Sequence, residues 1–82
     1  MKKTMTILES LQHSKINAEA IYRIWDDGTK VEIGWKGITP NEKQFYMERS
    51  NGYGLKFVLH IDGKTMATNA LYRTVVRLIK TN

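Results

Sequence analysis

The 82-residue chain contains no cysteine, which excludes disulfides, thiolate catalysis and the cysteine-rich zinc sites together. Nothing in that usage points to an oxidising compartment, so a cytoplasmic location is expected. Proline occurs once, at Pro40, and no linker composition divides the chain. Long apolar runs are missing too. The opening MKKTMTILESLQ carries two lysines, but Glu9, Gln12 and His13 interrupt it before any apolar stretch reaches signal-peptide length. No stretch approaches the roughly 20 residues of a membrane span. The glycines form neither a phosphate loop nor a dinucleotide fingerprint, and two isolated histidines with scattered carboxylates give no metal-ligand spacing. These absences predict no cofactor, no metal, no membrane partner and no small-molecule substrate.

What is present fits one globular domain over residues 1–82, because a chain this short buries only about 60 to 65% of its unfolded surface and cannot support two cores. Hydrophobic residues at 41% and aromatic residues at 10% supply enough apolar material for that core. Thirteen Lys and Arg against eight Asp and Glu leave a net charge of +5, which favours encounter with nucleic acid or acidic proteins and also serves solubility alone.

Thr6-Ile7-Leu8-Glu9 has the form of a capping box and predicts a short helix from about 6 to 15, with Ile7, Leu8 and Leu11 on one side. Residues 19–36 predict a β-hairpin with a two-residue turn at Asp27-Gly28. Counting outward pairs Ile24 with Val31, Tyr22 with Ile33 and Ala20 with Trp35 on an apolar face. The other face then pairs Trp25 with Lys30, Arg23 with Glu32 and Glu19 with Lys36, giving two opposite-charge pairs and a cation–π candidate. A helix from Asn17, with Ala18, Ile21, Tyr22 and Trp25 on one stripe, is the competing reading, but it leaves residues 30–36 without a role.

For residues 38–52, Thr39 as N-cap, Pro40 in the first turn, Glu42 and a stop at Asn51-Gly52 predict a short helix over 40–50. The alternation of Phe45 and Met47 supports a strand instead, with Met47 opposite Phe57 and Phe45 opposite Leu59. Leu55, Phe57, Leu59 and Ile61 predict a strand over 55–61 with those residues buried. Asp62-Gly63 marks a turn into a short return strand, 64–67. Thr68 or Asn69 then caps a terminal helix with an apolar stripe of Leu71, Tyr72, Val75, Leu78 and Ile79. The expected class is α+β: a small antiparallel sheet of three to four strands packed against an N-terminal and a C-terminal helix.

Arg73, Arg77 and Lys80 recur at i, i+4 and i+7 opposite that stripe. Such a row suits phosphates along a nucleic-acid backbone, although cations are favoured near any helix C-terminus. Trp25, if exposed beside Arg23 and Lys30, can stack a base or anchor a partner. Cover by the N-terminal helix is the favoured outcome, because Ile21 would otherwise lie bare. Tyr53, at the SNGYG turn, is a second aromatic candidate. His60 and Asp62 share a strand face, and no second catalytic group stands near them, so no enzymatic activity is expected.

The order helix, strands, helix resembles the outline of double-stranded-RNA-binding domains. The lysine cluster that opens that family's last helix is replaced here by DGKTMATNA, with Lys64 alone, and no residue role carries over. Two expectations of function follow. The first is a non-catalytic nucleic-acid-binding regulator using Arg73, Arg77, Lys80, Arg23, Lys30, Trp25 and Tyr53. The second is a protein-interaction module that inhibits or modulates a larger partner, of the size that phages and mobile elements encode.

Overall fold

A computed structural model describes residues 5–51 and 54–82. Elements run in the order α1 (Ile7–His13), β1 (Asn17–Ile24), β2 (Lys30–Ile38), β3 (Gln44–Arg49), β4 (Lys56–Ile61), β5 (Lys64–Leu71) and α2 (Tyr72–Thr81). The five strands form one antiparallel meander in sequence order, β1-β2-β3-β4-β5. The architecture is α+β, as the sequence implies, with five strands rather than three or four.

α1 starts on the expected capping box: Glu9 N–H donates to Thr6 Oγ1 at 3.1 Å, and Thr6 N–H donates to Glu9 Oε1 at 3.2 Å. Its end was not legible in the same way. Lys15 takes φ 64° while its N–H donates to Gln12 O and the Ile16 N–H donates to Leu11 O. This is a Schellman motif with lysine at the left-handed position, closed by the buried pair Leu11 and Ile16.

The hairpin exists, with a corrected turn and register. Trp25 N–H donates to Thr29 O and Gly28 N–H donates to Trp25 O, so the loop is the three residues Asp26-Asp27-Gly28, with Gly28 at φ 88°. The extra loop residue shifts the near-turn pairs to Ile24–Lys30, Arg23–Val31 and Tyr22–Glu32, while Ala20–Trp35 and Glu19–Lys36 keep the expected register. A bulge at Ile33 absorbs the one-residue difference.

The helix expected at 40–50 is replaced by a turn and a strand. Thr39 N–H donates to Lys43 O, Glu42 N–H donates to Thr39 O, and Glu42 sits at φ 64°. The bonding repeats that of the Trp25–Thr29 loop. Thr39 Oγ1 accepts from the Lys43 N–H at 3.0 Å, so the residue read as a helix cap closes a turn. β3 then pairs Phe45 with Ile61 and Met47 with Leu59, two residues away from the register expected for a strand here. β4 starts at Lys56, leaving Leu55 76% exposed rather than buried.

Asp62 and Gly63, at φ 50° and 79°, make a two-residue primed turn into β5. That strand runs to Leu71 instead of stopping at 67, because Phe57–Ala70 and Lys56–Leu71 continue the pairing. Thr68 and Asn69 lie within it at a bulge and cap nothing. α2 begins at Tyr72 behind Leu71, which makes no side-chain cap and lies outside the apolar stripe.

Both helices contribute to one core with a single face of the sheet. Leu11, Ile16, Trp35, Phe45, Met47, Phe57, Leu59, Ile61, Val75 and Ile79 are buried together. Phe57 meets Trp35 and Tyr72 edge-on, at ring-centroid distances of 6.1 and 6.0 Å. Gly37 lets the Asn17 carbonyl and the Phe45 ring approach β2, since a Cβ there would fall on the Asn17 carbonyl oxygen and lie 2.8 Å from the Phe45 ring. Among the described residues no helix is long and apolar enough to cross a membrane.

Candidate nucleic-acid interface

The terminal helix presents its basic row as the periodicity predicts. Val75 and Ile79 are buried against the sheet, and Arg73, Arg77 and Lys80 are exposed on the outer side. At 1.5 Å rise per residue the three cations occupy about 10 Å of helix. No acid stands among them in the sequence. Residues 63–82 hold Lys64, Arg73, Arg77 and Lys80 and neither Asp nor Glu, a charge of +4, against +5 for the whole chain. The remaining charges nearly cancel over residues 1–62. The protein is therefore electrostatically polar, with its positive end on β5 and α2.

Arg23, Trp25 and Lys30 lie elsewhere, around the tip of the β1–β2 hairpin at the opposite edge of the sheet. Five strands at about 4.8 Å spacing separate the two edges by roughly 19 Å. Helix α1 does not cover Trp25, which is 48% exposed; α1 packs instead with Ala18 and Ala20 on the core side. The expected Trp25–Lys30 contact is replaced by two others. The Arg23 guanidinium stands 5.7 Å from the Trp25 ring centroid, and Lys30 Nζ stands 4.2 Å from that of Tyr22. The bulge explains the exchange, because a one-residue slip moves every partner near the turn to the other face. Asp26 and Asp27 lie beside these cations in the loop. The Thr29 hydroxyl and backbone hydrogen bonds to Asp27 hold its carboxyl below the usual range. The hairpin tip is thus aromatic and mixed in charge, while α2 is purely basic. Tyr53 lies outside the described residues.

Sequence reasoning missed a feature of the helix-free face. Glu19, Lys36, Tyr46, His60 and Thr65 are register neighbours across all five strands. Lys36 Nζ is 3.4 Å from Glu19 Oε1, Tyr46 stacks on His60 at 6.0 Å and 23°, and Thr65 Oγ1 is 3.2 Å from His60 Nδ1. The Tyr46 hydroxyl donates to Glu48 Oε2 at 2.9 Å; partial burial, and then Glu48, raise its pKa above the usual tyrosine value. Gly34 leaves room for the Tyr46 ring, since a Cβ there would approach Tyr46 Cε1 to 3.0 Å. A groove of about 710 Å³ follows the row, between Asn17, Lys36, Ile38, Gln44, Tyr46 and His60. The signal available in the sequence was the alternation of Gln44, Tyr46 and Glu48 with Phe45 and Met47.

No family model matches the chain, and no curated protein or solved structure is significantly similar to it.

Proposed function

We propose that the protein is a small, non-catalytic nucleic-acid-binding regulator that lays the outer face of α2 along a phosphate backbone. The observation that carries the reading is the charge polarity: Arg73, Arg77 and Lys80 are exposed on an acid-free helix that, with Lys64, holds nearly all the net charge. Such a face contacts phosphates without reading bases, so its binding tolerates any sequence and weakens with salt through counterion release. Titrating generic single- and double-stranded DNA and RNA by fluorescence anisotropy, at two salt concentrations, tests it. Each cation removed lowers the slope of log K against log salt by about 0.7 to 0.9. Replacing all three by glutamine abolishes most binding and leaves the fold intact, because exposed positions change stability by about 0.5 kcal/mol or less. If the native protein binds none of these probes at low salt, the reading fails.

The hairpin favours a second reading. Tyr22, Ile24, Trp25 and Ile33 are all exposed there, a concentration of apolar surface suited to a protein-interaction module that modulates a larger partner. Nuclease-resistant capture of one partner, retained by the triple glutamine variant and lost on Trp25→Ala, would favour this reading over the first.

A further inference from the structure

The two edges of the sheet are unequal. β5 carries two irregularities: Met66 is an extra residue between Thr65 and Ala67, and Thr68 with Asn69 faces Val58 alone, with Asn69 at φ 50°. Bulges of this kind stop another strand from adding to an edge. β1 has eight residues and no proline, and the bulge of its hairpin lies on β2. Among the described residues no strand lies beyond it.

The parity of β1 decides which groups it offers. Trp25 directs both its N–H and its C=O at the hairpin loop, so Arg23, Ile21 and Glu19 direct theirs at β2. The backbone groups of Ala18, Ala20, Tyr22 and Ile24 point outward. An added antiparallel strand must bring its own outward residues against these four.

We infer that the occupant of this edge is a second copy of the chain, joined β1 to β1 about a two-fold axis at Ile21, so that two sheets become one of ten strands. Three independent features meet in that register. Outward residues bond to outward residues, Ala20 with the partner copy's Tyr22 and Ala18 with its Ile24, as a regular ladder requires. The close, non-hydrogen-bonded positions set Glu19 of one copy opposite Arg23 of the other, twice by symmetry, which is the charge complementarity of an isologous contact. The small side chains of Ala18 and Ala20 leave room for Tyr22 and Ile24, which are 46% and 70% exposed in the single chain. A slip by two residues would lose both charge pairs, so the charges fix the register. The inference does not depend on nucleic-acid binding, because Arg73, Arg77 and Lys80 take no part in the β1 ladder, although Lys80 at the end of α2 lines a small pocket with Ile16 and Asn17 at the start of β1.

Sedimentation or light scattering over a dilution series tests the state directly. The expected result is a reversible species of about 19 kDa, twice the 9.5 kDa chain. Arg23→Glu sets two carboxylates together and gives a monomer, and the double variant Glu19→Arg, Arg23→Glu restores the dimer. Since the chain has no cysteine, Ile21→Cys provides a check on register: it oxidises to a disulfide-linked dimer, because this residue faces its own copy at about 4.5 to 5.5 Å between Cβ atoms. Met66→Cys on β5 does not. A monomer at every concentration, a dimer indifferent to Arg23→Glu, or equal cross-linking of the two cysteine variants would overturn the inference.

Discussion

Single residues in this chain are constrained unequally, and Phe57 is constrained most. It is fully buried at mid-sheet, opposite Ala70, with Trp35 and Tyr72 edge-on to its ring. Truncation removes the transfer energy of the ring and leaves a cavity bounded by two other aromatic side chains that cannot both move in. We expect Phe57→Ala to lower the unfolding free energy by about 3 to 5 kcal/mol, a large part of what a domain of this size possesses. Chemical denaturation measures it, and a loss below about 1 kcal/mol would mean that the site collapses around the deletion. The burial of Phe57 and Leu59 was legible because Phe57, Leu59 and Ile61 alternate without interruption. That of Trp35 rested on pairing with Ala20, in the half of the hairpin where the expected register holds. Leu55 and Leu71 fit the same apolar patterns, yet Leu55 precedes β4, Leu71 ends β5 ahead of α2, and both are exposed. Pattern alone does not show where hydrogen bonding stops.

At the scale of elements, local chemistry was legible where one bond pattern satisfies it and misleading where two do. The capping box of α1 has a single use. The C-terminus of α1 carries a strain that substitution can relieve, since Lys15 holds a left-handed φ of 64° at the position where glycine is favoured. Lys15→Gly should therefore stabilise the protein by about 0.5 to 1 kcal/mol, the relief of strain exceeding glycine's entropy loss on folding. A thermal melt reads this as a rise in Tm, and an unchanged or lower Tm would contradict it. The segment Thr39-Pro40-Asn41-Glu42 shows the opposite case. Proline after a capping threonine suits the first turn of a helix and position i+1 of a reverse turn equally well. The buried alternation of Phe45 and Met47 against β4 settles the choice for a turn and a strand, a long-range gain that no local window contains. Because β3 was hidden in this way, the Tyr46–His60 stack was hidden with it. Asp26-Asp27-Gly28 is similar: two- and three-residue loops both place Gly28 at positive φ, and the choice shows only in the Trp25–Thr29 hydrogen bond and the compensating bulge at Ile33. The basic row of α2 was legible throughout, since a period of 3.6 residues fixes its side of the helix once the apolar stripe is known.

Considered whole, the molecule combines a sheet whose core lies under two helices with a hairpin that extends as a two-stranded ribbon past the last β2–β3 pair, Trp35–Met47. Residues 22–24 and 30–32 pair only with each other in that ribbon, with Ile33 bulged beside them, and the apolar side chains there are largely exposed. Local opening is cheapest where few buried contacts resist it, so amide hydrogen exchange should divide the chain into two classes. Amides of β3 and β4, with partners on both sides and buried side chains at alternate positions, should exchange only through global unfolding, at a cost on the order of 5 to 10 kcal/mol. Amides of the ribbon should exchange much sooner. Within β1 the division should alternate, because Glu19 and Ile21 donate towards β2 while Ala18, Ala20, Tyr22 and Ile24 donate outward. In dilute solution the outward four should exchange at nearly the rate of a free chain. As concentration rises and β1 pairs with a second copy, those four amides and no others of β1 should gain protection in parallel, reporting the new ladder residue by residue. Uniform protection across residues 17–24 at every concentration would show that the parity assigned to β1 is wrong.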